Sequence, residues 1–177
     1  MDYLALFQIY KQHSLFGRYV PLAAVERVAQ ELGLTLNVKG YSVQQRSLYH
    51  LEIGSGNYKV LLWSQMHGNE STTTKALFDF IAFLGSDAPE AKRLCAHFRF
   101  CILPLVNPDG AEVYTRVNAN GVDLNRDAVA LTQPESRFIR EVFEAYQPDL
   151  DYNVHDQRNI FGEGERGLTA TVTCFAP

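Results

Sequence analysis

The sequence places a histidine and a glutamate three residues apart, in the run Gln65-Met66-His67-Gly68-Asn69-Glu70. An imidazole and a carboxylate at this spacing can converge on one metal ion when a strand leads into a tight turn and then a helix. The arrangement differs from the His-Glu-x-x-His pattern, where both histidines share one helix face. Alone the pair also has a plain reading, with Glu70 favouring a helix N-terminus and His67 exposed. His155, in Asp151-Tyr-Asn-Val-His155-Asp156-Gln157, offers a third ligand at the end of another strand, and a core position is its plain alternative. Two histidines and one carboxylate, with water in the fourth place, form a catalytic zinc set. His13, His50 and His97 have no such neighbours and read as surface or structural residues.

A second group of residues suits anion recognition. Asn107-Pro108-Asp109-Gly110 and Asn118-Ala-Asn-Gly121 are built from turn formers, and either can be only a turn or a loop. Arg116 and the run Val122-Asp123-Leu124-Asn125-Arg126 flank the second of them. Guanidinium groups bind carboxylates through two parallel hydrogen bonds. Arg116, Asn125 and Arg126 are therefore candidates for gripping a substrate carboxylate, against the alternative of solvated surface charges.

The elements that must position these residues follow from hydrophobic spacing. Helices are expected over residues 3–12 and 21–32, the second ending at Gly33. Residues 34–39 and 46–53 form the arms of a hairpin. Val60-Leu61-Leu62-Trp63 reads as a strand buried on both faces that delivers the chain to His67. A helix with Leu77, Phe80, Ile81 and Leu84 on one stripe follows, then a strand over 98–103. Thr132-Gln-Pro-Glu135 looks like a capping box. The helix it opens is expected to bury Phe138, Ile139, Val142, Phe143 and Tyr146. Strands over 149–154 and 168–175 complete the reading. Alternating strands and helices predict an α/β sandwich with a mostly parallel or mixed sheet. In such sheets sites gather beyond the carboxyl ends of the strands, where His67, Asn107 to Asp109 and His155 all fall.

Bulk properties set the limits. A length of 177 residues suits one domain, and 46% hydrophobic with 20% charged residues is an ordinary globular balance. A net charge of −4 with no basic patch gives no reason to expect a nucleic-acid partner. Cys95, Cys101 and Cys174 fit neither a disulfide framework nor a thiolate zinc site. The first residues lack the pattern of a signal peptide, and no apolar run approaches a membrane span. A cytoplasmic protein with buried, reduced thiols is the expectation.

Taken together, His67-Gly-Asn-Glu70, Asn107-Pro-Asp-Gly110, Arg116-x-Asn118-x-x-Gly121-Val-Asp-Leu-Asn125-Arg126 and His155 resemble the zinc carboxypeptidases of the carboxypeptidase A type. The resemblance runs over roughly residues 60 to 160, and its spacing is similar to the bacterial and cytosolic branches. It implies an α/β/α sandwich around a mixed, mostly parallel sheet. It also implies a single catalytic domain over 1–177, in which 1–45 supply the N-terminal helices and first strand and 46–177 carry the metal and the substrate clamp. By the same resemblance His67, Glu70 and His155 bind zinc, and Asn125 and Arg126 hold the C-terminal carboxylate of a peptide. Arg116 polarises the scissile carbonyl, and Asp123 orients the imidazole of a zinc ligand, His67. The family's general-base glutamate lies well downstream of the third ligand, whereas this sequence ends 22 residues after His155. The expectation is an N-terminal part of a longer enzyme, with Glu163 and Glu165 as weak substitutes for that base. Two other readings stay open: an N-acyl amino-acid deacylase, and a non-catalytic module that binds zinc or carboxylates. Side-chain preference and oligomeric state are not legible.

Overall fold

A computed structural model describes residues 2–156. The elements run α1 (Tyr3–Tyr10), α2 (Leu22–Glu31), β1 (Asn37–Tyr41), β2 (Ser47–Ile53), β3 (Tyr58–Ser64), α3 (Ser71–Leu84), α4 (Pro89–His97), β4 (Phe98–Leu103), α5 (Pro108–Glu112), α6 (Pro134–Tyr146) and β5 (Leu150–Val154). Among the described residues no helix is long and apolar enough to cross a membrane. The strand expected over 168–175, with Glu163, Glu165 and Cys174, lies outside the described residues.

The strands form one sheet in the order β1-β2-β4-β3-β5. β3 pairs in parallel with both β4 and β5, whereas β2 runs antiparallel to β1 and to β4. The sheet is therefore mixed, with β2 alone reversed. The period of two along the strands divides the side chains between two cores. Val60, Leu62, Phe100 and Ile102 face α2 and α3, packing on Val25, Val28, Phe78 and Ile81. Leu61, Trp63, Cys101 and Leu103 face the other way, onto Phe138 and Val142 of α6. An apolar layer on each face of β3 and β4 explains why those strands are continuous hydrophobic runs. The result is the α/β/α sandwich.

Three local expectations are corrected. The segment Pro89–His97, unassigned from sequence, is a helix that buries only Ala91 and so carries no wide apolar stripe. Asn107 to Gly110 is more than a turn: Asn107 caps α5, its Oδ1 accepting the Gly110 N–H at 2.8 Å. Thr132 and Glu135 do not form a capping box. Gln133 occupies the cap position of α6 without a side-chain cap bond. Asp127 instead accepts the backbone N–H groups of Thr132 and Gln133, each at 2.9 Å. Glu135, fully buried, accepts from the Val43 N–H and from the Asn118 amide. Long-range partners outcompete the local pattern. On α6, Phe138 and Val142 are buried, but Phe143 stays 37% exposed.

Candidate metal centre

The parallel strands β3, β4 and β5 end on one edge of the sheet and deliver the candidate residues there. β3 runs out at Ser64, and Gln65 then turns the chain with a positive φ of 49°. His67 follows, 1% exposed. The next residue must be glycine. A Cβ on Gly68 would stand 2.0 Å from the carbonyl carbon of Gly110 and 2.2 Å from the Ala111 nitrogen. The turn thus lies directly against α5. Asn107 fastens the same contact from below, donating its Nδ2 to the Met66 carbonyl at 3.2 Å.

Glu70 occupies the N-cap position of α3 but makes no side-chain cap bond there. Its carboxylate faces the histidines instead, which removes the plain helix-end reading. Glu70 Oε1 is 2.9 Å from His67 Nδ1, and Oε2 is 2.8 Å from His155 Nδ1. One ligand atom from each of the three residues falls within 4.8 Å of the others. Capping of α3 passes to Asp156, whose carboxylate accepts the Thr72 and Thr73 N–H groups, both at 3.2 Å. This tether lies one residue beyond His155.

Arg116 and Asp123 close the group. Asp123 Oδ1 is 3.0 Å from His67 Nε2. Arg116 donates Nε to Asp123 Oδ2 at 2.9 Å and a terminal N–H to Glu70 Oε1 at 3.1 Å. Burial pushes the Glu70 carboxyl up, but the two imidazoles against it pull it down to about 2. Burial likewise opposes ionisation of Asp123, and Arg116 with His67 lowers it below the usual carboxylate range. Both groups are therefore anionic near neutral pH.

The hydrogen-bond pattern leaves one ring nitrogen of the cluster without a partner. With Asp123 anionic, His67 Nε2 carries the proton that it donates. His67 Nδ1 is buried and without a hydrogen-bond partner of good geometry, 2.9 Å from a carboxylate oxygen. Two buried polar atoms so placed call for positive charge between them, supplied by a proton on Nδ1 or by a metal ion. Ligand atoms on a tetrahedral zinc, bound at about 2.0–2.1 Å, stand about 3.3 Å apart. The donor set of two imidazole nitrogens and a carboxylate fits zinc in its chemistry, and its atoms lie close enough together to converge on one ion.

The comparisons with known proteins agree with this geometry. Residues 26–159 match the family described as Zinc carboxypeptidase. The chain belongs to the zinc carboxypeptidase family. It is 31% identical to human carboxypeptidase D over a 162-residue alignment that covers 73% of this chain and 12% of that protein. It is 29% identical to a probable carboxypeptidase 2 of Arthroderma benhamiae, covering 56% of this chain and 19% of that protein. A metallo-carboxypeptidase from Burkholderia cenocepacia superposes with a TM-score of 0.68 at 24% identity, over 76% of this chain and 40% of that one. One from Pseudomonas aeruginosa, solved in complex with (2-guanidinoethylmercapto)succinic acid, gives 0.62 at 25% identity over 76% and 39%. The chain thus spans 40% or less of each of these relatives.

Within this zinc carboxypeptidase domain the remaining candidates are less closely drawn in. The Asn125 side chain lines a cavity of about 230 Å³ between β3, β5 and α6, together with Trp63, Met66 and Ile139. Its backbone N–H bonds Asp123 Oδ1 at 3.0 Å. Arg126 is exposed, and its backbone N–H bonds the Asp123 carbonyl at 2.9 Å. His13 and His97 are exposed, and His50 contacts the Asn37 carbonyl, all remote from the cluster. Cys95 and Cys101 are free thiols, and burial pushes Cys101 up to about 12. Sequence reasoning did not single out Gln65, Gly68 or Asp156. The only signal for Asp156 was an acidic residue next to His155, and for Gly68 a glycine inside the motif.

Proposed function

We propose that the chain holds a catalytic zinc ion through His67, Glu70 and His155 and serves hydrolysis of the C-terminal amide bond of peptides. The observation that carries this reading is the buried, unpartnered His67 Nδ1 facing Glu70, with His155 on the second oxygen of the same carboxylate. When bound, zinc supplies Lewis acidity and a water of lowered pKa.

The chain's own residues supply ligand orientation, charge stabilisation and substrate grip. Asp123 accepts the His67 Nε2 proton and so fixes the tautomer that leaves Nδ1 free to ligate. Arg116, anchored on Asp123 and Glu70, directs positive charge to the cluster, where a carbonyl oxygen gaining charge is stabilised. The exposed Arg126 guanidinium and the Asn125 amide grip the free carboxylate of the substrate. A substrate with a free carboxylate beside the scissile amide, as at a peptide C-terminus, suits such a clamp beside a hydrolytic metal.

The test is zinc content and turnover together. Purified chain should bind one zinc ion, and His67→Ala should lose it. If His67→Ala keeps its zinc, the ligand assignment is wrong. Release of C-terminal residues from peptides, compared with deacylation of N-acyl amino acids, identifies the substrate. Turnover confined to acyl amino acids would refute the peptidase reading.

A further inference from the structure

Gln65 is buried, 1% exposed, and sits two residues before His67. Its backbone adopts a positive φ of 49°, a conformation that a residue with a long side chain takes only at an energetic cost. Such a conformation persists only where the surroundings over-determine it, and they do so here. The side-chain nitrogen donates to the Gly68 carbonyl at 2.8 Å and to the Val20 carbonyl at 3.2 Å. The side-chain oxygen accepts the Thr74 hydroxyl at 2.6 Å. The backbone carbonyl accepts the Asn107 N–H at 3.1 Å.

Each partner belongs to a different part of the molecule. Gly68 is in the turn between His67 and Glu70. Thr74 is in the second turn of α3, which Glu70 opens. Asn107 caps α5, against which that turn is pressed. Val20 ends a segment that runs along α3, held by Gln12 N–H to Asp79, Lys75 to the Gly17 carbonyl and Ser71 to the Arg18 carbonyl. This segment precedes residue 26, where the family match begins.

We infer that Gln65 is a positioning residue for the metal centre: its amide fixes the His67–Glu70 turn and couples it to the N-terminal segment. The inference rests on the zinc reading above. Loose support of a metal ligand typically costs 10- to 100-fold in metal affinity. The isosteric Gln65→Glu is the sharpest probe. It keeps volume and shape but turns the donor end into a carboxylate oxygen facing two carbonyl oxygens.

The experiment measures zinc affinity by competition with a chromophoric chelator, and the visible absorption of the cobalt(II)-loaded chain. Gln65→Glu should bind zinc 10- to 100-fold more weakly, and its cobalt bands should shift or weaken as the ligand geometry loosens. Wild-type zinc affinity with an unchanged cobalt spectrum would overturn the inference. If near-ultraviolet circular dichroism shows Gln65→Glu unfolded, Thr74→Val is read instead, with Ser64→Ala as its control, since it removes the hydroxyl that Gln65 accepts together with its contact to Ser64 Oγ at 3.0 Å. A severalfold weaker zinc affinity supports the inference, and an unchanged one overturns it. Failure of the wild-type chain itself to bind zinc refutes the metal reading, and the positioning role falls with it. Failure at Gln65 alone leaves the metal reading standing.

Discussion

Replacing Gly68 with alanine adds one methyl group where none fits. The new Cβ would lie 2.0 Å from the Gly110 carbonyl carbon, 2.2 Å from the Ala111 nitrogen and 2.4 Å from the Gly110 oxygen. Favourable contacts between carbon atoms begin near 3.5 Å, so the two segments must separate by about 1 Å or more. Neither side yields easily. Gly110 is tied through its N–H to Asn107, and the neighbouring Asp109 is locked to Ser42, Arg46 and the Gln44 N–H. The opposing turn is tied to Gln65 through the Gly68 carbonyl. Overpacking of this kind costs about 1–3 kcal/mol. At about 2–4 °C per kcal/mol for a chain of this size, the apo melting temperature should drop by several degrees. The shift falls between His67 and Glu70, so zinc affinity should fall about 10- to 100-fold. Thermal melts with and without zinc measure both effects: at fixed free zinc, the zinc-dependent stabilisation should shrink by about 1.4–2.8 kcal/mol. Gly40→Ala is the control, because its Cβ would meet nothing nearer than Leu48 Cδ1 at 3.7 Å. Zinc affinity within twofold of wild type in Gly68→Ala would refute the claim that this close contact sets the ligand geometry.

Asp156→Ala removes the carboxylate that caps α3 beside His155. It should cost about 1 kcal/mol of stability and about tenfold in zinc affinity, with Asp156→Asn recovering most of both. Chelator competition and thermal melting check this, and equal zinc affinity in Asp156→Ala and wild type would count against it. Asp127 gives the pH dependence. Burial raises its carboxyl, but hydrogen bonds from Thr132 and Gln133 bring it down to about 2, below its ordinary 3.8. The folded state therefore holds Asp127 charged where the unfolded chain takes up a proton. Its contribution is complete above about pH 4 and is lost as pH falls towards 2. Urea midpoints of wild type and Asp127→Asn should differ at pH 6 and converge near pH 2. A difference that persists at pH 2 would contradict the assignment.

The parts of the fold visible in the sequence were those fixed by burial. β3 and β4 are apolar on both faces because helices cover both, and α3 announces itself through Leu77, Ile81 and Leu84. α4 escaped notice because Ala91 is its one buried residue, and α5 because Pro-Asp-Gly is turn chemistry until tertiary contacts bury it. At the site, His67, Glu70, Arg116, Asp123 and His155 were legible as residue types capable of chemistry at strand ends, and the structure brings their side chains together. Gln65 was not, since a glutamine has no spacing signature and its importance comes from four partners distant in sequence or hidden in a turn. Glu135 misled for the same reason: its position relative to Thr132 suggests a local cap, whereas Asn118 and Val43 claim its oxygens.

The arrangement of ligands along the chain has a consequence for folding. Glu70 and His155 are 85 residues apart, and they meet just beyond the ends of the adjacent parallel strands β3 and β5. An ion shared between them closes a loop of that length, as a cross-link does. For a covalent cross-link, closure of such a loop is worth about 4–5 kcal/mol in lost unfolded-state entropy. Among the described residues β5 pairs only with β3, and most of its residues are exposed. Zinc at the proposed site would be a fastener as well as a reagent, tying the turn and helix start that follow β3 to the residue that follows β5.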